Sequence, residues 1–230
     1  MPREIGACSP RLHGRRRGRK LKPHQAWLLE TLLPRLSFDP SYPITDPRCL
    51  FPNRPSAVWL EIGFGGGEHL AAEALAHPEI GHIGCEVFLN GIAKALALLE
   101  QHQLRNVRLY NGDARTVIAA LPPGSLDGAY LLYPDPWPKR RHHARRFLSN
   151  ETLAGLARVM RSGGELRFAT DIDSNAAWTL ARVLRSPDFI WAPLSASDWQ
   201  RPWEGWAGTR YEDKALRDGR RPAYLTFRRN

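Results

Sequence analysis

The chain has 230 residues, 43% of them hydrophobic, and a formal net charge of +10. That length allows one substantial α/β domain with extensions, and that charge favours a polyanionic partner, either nucleic acid or an anionic membrane surface. No apolar run approaches the length of a membrane-spanning helix.

Cys8, Cys49 and Cys85 are odd in number and far apart, with no CxxC pair and no zinc spacing. They read as thiols of a reducing cytoplasm, and no metal site is expected. The N-terminus is rich in arginine but lacks the continuous apolar segment of a secretory signal. Residues 1–22 hold Arg11, Arg15, Arg16, Arg17, Arg19, Lys20 and Lys22 among glycines. Such a segment reads as a flexible basic arm that orders on a polyanion. Residues 23–230 read as a single domain.

Residues 24–38 carry a helical pattern through Trp27, Leu28, Leu32 and Leu36. Five prolines, at 40, 43, 47, 52 and 55, make residues 39–56 a connecting loop. A β-α alternation follows. Strands are expected at residues 57–62, 80–86, 107–110, 126–133 and 165–169, and helices at 67–76, 89–102, 151–160 and 175–184. A last strand is expected at 223–229, antiparallel and near an edge. Apolar strands alternating with helices imply an α/β, Rossmann-like fold, here a seven-stranded, mostly parallel sheet with helices on both faces.

The first strand runs into Glu61-Ile62-Gly63-Phe64-Gly65-Gly66-Gly67. Glycines there allow a sharp turn and a close ligand approach. The dinucleotide fingerprint would need a third glycine at position 68, which is Glu68. The pattern present is Gly63, Gly65, Gly67, with Glu61 inside the strand end, an arrangement suited to a cationic, amino-bearing cofactor rather than a pyrophosphate. Glu86 closes the second strand, where an acid can accept from both ribose hydroxyls of an adenosine group. Asp113 follows the third strand, placed to reach an adenine amino group. Each acid alone is more often a helix cap or a solvated loop residue. Three successive strand ends finished in this way, along the carboxyl edge of the sheet, imply an S-adenosyl-L-methionine-dependent methyltransferase.

The fourth strand ends in Tyr133-Pro134-Asp135-Pro136-Trp137-Pro138-Lys139, followed by Arg140, Arg141, His142, His143, Arg145 and Arg146. Prolines stiffen the loop, an acid and a ring can grip a base, and cations can grip phosphates. A proline-rich turn before a solvated basic segment would give the same string. Asp171, after the fifth strand, reads as a helix N-cap or a substrate contact. Thr209, Arg210, Tyr211 and Glu212 gather a hydroxyl, a cation, a ring and an acid, as a base pocket or as a polar loop. Trp199, Trp203 and Trp206 either stack bases or pack over the sheet.

The run YPDPWPKRRHHARRFL, with LEIGFGGG, GCEV, NGDA, ATDIDSNA and TRYEDKALRDG in that order, closely resembles the bacterial tRNA (guanine-N7)-methyltransferase family. The resemblance runs from about residue 15 to the end of the sequence. Phe88 stands where many members have histidine. It implies a class I methyltransferase that moves a methyl group from S-adenosyl-L-methionine to N7 of a guanine in tRNA, in the variable loop. It also implies that Glu61, Glu86, Asp113 and Asp135 contact the cofactor. Asp135 would be catalytic, and Lys139, Asp171 and Thr209, Arg210, Tyr211 and Glu212 would contact tRNA. Monomer and homodimer are both compatible with this reading. Its rivals are a methyltransferase acting on DNA or another RNA base, and a non-catalytic RNA-binding protein that kept the fold.

Overall fold

The structure, a computed structural model, describes residues 16–230. A seven-stranded sheet runs through it in the order β3-β2-β1-β4-β5-β7-β6. Its strands are β1 (Ala57–Ile62), β2 (Ile80–Glu86), β3 (Val107–Asn111), β4 (Leu126–Leu132), β5 (Met160–Thr170), β6 (Phe189–Ile190) and β7 (Ala223–Arg229). The pairings among β1 to β5 are parallel, and β7 runs antiparallel between β5 and β6. The expected seventh strand is thus the two-residue β6, for which the sequence has no periodicity to offer.

Alternation along β1 sorts its side chains. Val58, Leu60 and Ile62 join a cluster with Val117, Ile118, Leu153 and Leu156. Those partners come from α5 (Ala114–Ala120) and α6 (Asn150–Val159). Trp59 points the other way and packs on Tyr130 of β4. A second cluster joins Leu28 and Leu36 to Leu70, Ile92, Leu96 and Leu99. It lies between α1 (Pro23–Thr31), α2 (Leu33–Leu36), α3 (Glu68–Ala76) and α4 (Leu89–Gln101). The expected single helix over residues 24–38 is therefore two, since the chain bends at Leu32 ahead of Pro34.

The sheet order turns around at β1 and β4, so the crevice beyond their carboxyl ends is the place where such folds hold ligands. α7 (Asp173–Val183) follows β5, the short α8 (Ser197–Gln200) follows β6, and α9 (Arg210–Arg217) precedes β7. Among the described residues no helix is long and apolar enough to cross a membrane, and no group of three or more His, Cys, Asp and Glu side chains could hold a metal.

Residues 1–15 of the expected basic arm lie outside the described residues. Residues 16–19 are docked rather than free. Leu89 N donates to Arg16 O at 2.9 Å, Gly18 N to Asn90 Oδ1 at 2.6 Å, and Asn90 Nδ2 to Arg19 O at 2.7 Å. Leu89 N belongs to the first turn of α4, whose backbone N–H groups have no partner within the helix, and the Asn90 side chain adds a bond in each direction.

Candidate active site

A cavity of about 640 Å³ opens at the strand ends, and Gly63, Gly65, Glu86, Asp113, Asp135 and Tyr211 are among its lining residues. Its first wall is the loop after β1. Gly65 (φ 57°) and Gly67 (φ 79°) both lie in the left-handed region that glycine enters without cost. At Gly65 the need is the left-handed φ itself, since a Cβ would meet only the Arg210 and Tyr211 side chains at an ordinary contact distance of 3.4 Å. At Gly67 it is packing, since a Cβ there would lie 2.5 Å from Ala95 of α4. Gly67 is accordingly absent from the cavity wall and serves as the N-cap of α3.

Glu86 finishes β2 and fixes this loop. Its carboxylate accepts from Gly65 N at 2.7 Å, Val87 N at 2.7 Å and Phe88 N at 2.9 Å. Burial raises its pKa, against the pull of those three N–H groups. Oε1 already accepts two N–H groups, whereas Oε2 accepts one and keeps a lone pair for a ligand hydroxyl. Asp113 caps α5 by accepting from Arg115 N at 3.0 Å, and Arg115 Nε adds bonds at 3.0 and 2.8 Å to its two oxygens. Asp113 and Arg115 both line the cavity.

Asp135 lines the same cavity from the loop between β4 and a 3-10 turn over Arg140–Arg145. Tyr133 (φ 47°) and Trp137 (φ 42°) bracket it in left-handed conformations that are unusual for aromatic residues. Each costs roughly 1–2 kcal/mol, and strain of this kind concentrates at functional loops. Asp135 is exposed to solvent along the cavity, yet partial desolvation by the surrounding loop raises its carboxyl above the ordinary aspartate range. The Arg145 guanidinium lies over the Trp137 ring, 5.0 Å from its centre.

Glu61 is placed differently from the other acids. It is 4% exposed and does not line the cavity. Its Oε2 pairs with His69 Nδ1 of α3 at 2.8 Å, and the His69 ring meets Tyr130 edge-on. Glu61 therefore acts on the glycine loop from behind, by tying β1 to the first turn of α3.

Of the residues expected at the tRNA, only Tyr211 reaches the cavity wall. Lys139 is exposed and precedes the 3-10 turn. Asp171 is not the N-cap of α7, a position held by Ile172. Instead its Oδ2 pairs with Arg220 Nε at 2.9 Å. Thr209 and Glu212 form a reciprocal capping box at the start of α9, with Glu212 N donating to Thr209 Oγ1 at 3.1 Å. Glu212 is 6% exposed and also accepts from Trp206 Nε1 at 2.6 Å and from Tyr224 Oη. Arg210 reaches back toward the glycine loop, 4.0 Å from Glu68. Trp203 and Trp206 pack with Tyr224 over the sheet, and Trp199 packs against the main core.

Gly91 of α4 lies against the glycine loop, off the cavity wall, and the sequence reading passed over it. A Cβ there would lie 2.2 Å from the carbonyl oxygen of Gly65. Its signal was a lone glycine early in a helix, which is unfavourable unless something approaches closely. Gly91→Ala must push the Gly65 carbonyl aside, so affinity for S-adenosyl-L-methionine should fall about tenfold or more by calorimetry while the variant stays folded. Unchanged affinity would separate this loop from the cofactor.

The sheet order, the glycine loop and the acids at successive strand ends define a class I methyltransferase fold. Solved structures bear this out at the level of fold. A 16S rRNA methyltransferase, KamB, superposes with a TM-score of 0.56 at 18% identity, over 76% of this chain and 89% of that one. An rRNA methylase from Streptococcus thermophilus gives 0.52 at 13% identity, over 75% and 86%. A family described as "Putative methyltransferase" matches residues 55–224. The tRNA (guanine-N(7)-)-methyltransferases of Nitrobacter winogradskyi and Nitrobacter hamburgensis are 54% and 55% identical, covering 94% of this chain and 84% and 85% of their own lengths. That of Bradyrhizobium diazoefficiens is 51% identical over 94% and 92%. The chain belongs to the tRNA (guanine-N(7)-)-methyltransferase family.

Proposed function

We propose that the chain transfers the methyl group of S-adenosyl-L-methionine to N7 of a guanine in tRNA, in the variable loop, and does so in the cytoplasm. The observation that carries this is the placement of Asp135, on a strained loop, in the wall of one cavity with the Gly63–Gly65 turn, Glu86 and Asp113. The donor supplies an electrophilic methyl on a sulfonium. Glu86 Oε2 would accept from a ribose hydroxyl, Asp113 would meet the adenine end, and the glycine loop, backed by Glu61 and His69, would leave room for the amino-acid portion. Domain-wide, residues 23–230 form the catalytic unit and residues 1–22 add cations for the tRNA backbone.

Guanine N7 has a free lone pair on the major-groove edge and needs no base to expose it. The N7–C bond forms as the C–S bond breaks, the electron pair goes to sulfur, and the positive charge moves to the guanine ring. In-line positioning is the main source of acceleration. Asp135 is the acid placed to stabilise the ring charge as it develops or to accept from the guanine N1–H and amino group. Lys139 and its arginine neighbours would hold phosphates, and Tyr211 would meet the base at the cavity mouth. Asp171 and the capped start of α9, with Thr209, Arg210 and Glu212, would shape that mouth.

The direct test is purified protein with labelled S-adenosyl-L-methionine and unmodified tRNA, followed by nucleoside analysis. Labelled 7-methylguanosine is expected from tRNA and none from duplex DNA. Label in another nucleoside, or in DNA, would overturn the reading.

A further inference from the structure

Arg146 is the last cation of the basic run after Asp135, yet it is the one that is buried, at 4% exposure. Its guanidinium spans two loops. Nε donates to the carbonyl of Pro136 at 2.8 Å, next to Asp135. Nη1 donates to Ser174 O at 2.9 Å and Nη2 to Ser174 Oγ at 3.2 Å, in the first turn of α7. The guanidinium also lies over Trp178, 5.2 Å from the ring centre, and Trp178 is pinned in turn by its Nε1 bond to Leu148 O at 2.9 Å. All three hydrogen-bond acceptors are neutral, and among the described residues Arg146 forms no ion pair with a carboxylate.

A buried guanidinium without an acid partner is costly, and its presence calls for a reason. The loop from Tyr133 to Trp137 is bracketed by two left-handed aromatic residues, and Pro134 and Pro136 have no N–H to tie it down. A carbonyl in that loop is therefore a natural point at which to hold it. Only a planar fork with several donors can take the Pro136 carbonyl and both Ser174 oxygens at once, which lysine cannot do. Because the fork is spent on neutral oxygens, the Asp135 carboxylate keeps its charge free of a competing cation.

Resting on the methyl-transfer reading above, we propose that Arg146 is a positioning residue for the reaction. It clasps the loop that carries Asp135 to the start of α7, so that Asp135 keeps a fixed place on the cavity wall. It touches neither the methyl group nor the base.

Arg146→Ala should lower kcat about a hundredfold, the scale of an ångström-level misplacement, with the KM for S-adenosyl-L-methionine within about twofold of wild type. Added guanidinium ion at low millimolar concentration should restore part of kcat, because the vacated space borders the cavity. Arg146→Lys serves if the alanine variant does not fold; it should fold and lose about tenfold in kcat, because an ammonium reaches one loop or the other. Amide exchange reads the clasp without any substrate: the amides of Tyr133, Asp135 and Trp137 should exchange faster in either variant while β4 and β5 keep wild-type protection. Wild-type kcat in Arg146→Lys, or unchanged exchange in the loop, overturns the proposal. Absence of 7-methylguanosine with the wild-type chain would instead sink the functional reading and leave the exchange result to decide the clasp.

Discussion

Asp135→Ala is expected to remove most methyl transfer, about 10²–10³-fold in single-turnover rate, the usual scale for loss of one electrostatic contact to developing charge. Calorimetric affinity for tRNA should hardly change, because phosphate contacts dominate binding. Asp135→Asn separates two roles. The amide keeps an acceptor for the guanine edge but cannot stabilise ring charge, so a variant as slow as alanine assigns the carboxylate to charge. The pH dependence follows from partial desolvation by the surrounding loop, which raises this carboxyl above the ordinary aspartate range. The rate should fall on the acid side as pH drops through that raised value. Stability moves the opposite way. A carboxyl whose pKa is raised on folding binds more protons in the folded than in the unfolded state, so its ionisation weakens the fold as pH rises. Asp135→Asn should then melt at or above wild type at neutral pH while turning over slowly. A near-wild-type rate in either variant would make Asp135 a turn residue only.

The fold was legible where patterns are long. The bounds of β1, β2 and β7 were readable to the residue, since each is an apolar run closed by glycine, proline or charge. α5 was not, because Ala114–Ala120 is two turns long and stops before Pro122 and Pro123, too short to show a period. The site was legible as a set of strand ends, because a strand end has a fixed place in such a sheet. It was less legible side chain by side chain. Glu61 and Ile62 are neighbours in sequence, yet strand alternation sends Ile62 to the cavity wall and Glu61 to His69 behind it. The Thr209–Glu212 spacing carried a plain local meaning, the T-x-x-E signature of a helix start, beside the base-pocket reading. Its acid is taken up by Thr209 N, Trp206 and Tyr224, partners that no local pattern announces. Gly91 and Arg146 share that character, since each matters through a backbone carbonyl that is distant in sequence or out of pattern.

Replacing the target guanine by 7-deazaguanine should abolish methyl transfer altogether while leaving tRNA binding almost intact. The substitution exchanges N7 for a C–H and removes the lone pair that attacks the sulfonium methyl. The Watson–Crick edge is kept, so whatever Asp135 accepts from the base remains available. The phosphates are kept too, so Lys139 and the exposed Arg140, Arg141 and Arg145 lose nothing. Affinity rests mainly on those phosphates and base contacts chiefly specify, so the dissociation constant should stay within about threefold at a fixed salt concentration. No other atom on the major-groove edge can take N7's place, because O6 lies off the line that N7 would have shared with the methyl and sulfur. The measurement is label incorporation into deaza-substituted and normal tRNA side by side, with binding followed in parallel. Methylation of the deaza substrate at a comparable rate would place the nucleophile elsewhere on the base. Loss of binding together with loss of transfer would mean that the N7 edge is read before it is modified, and that recognition here depends on the base more than on the backbone.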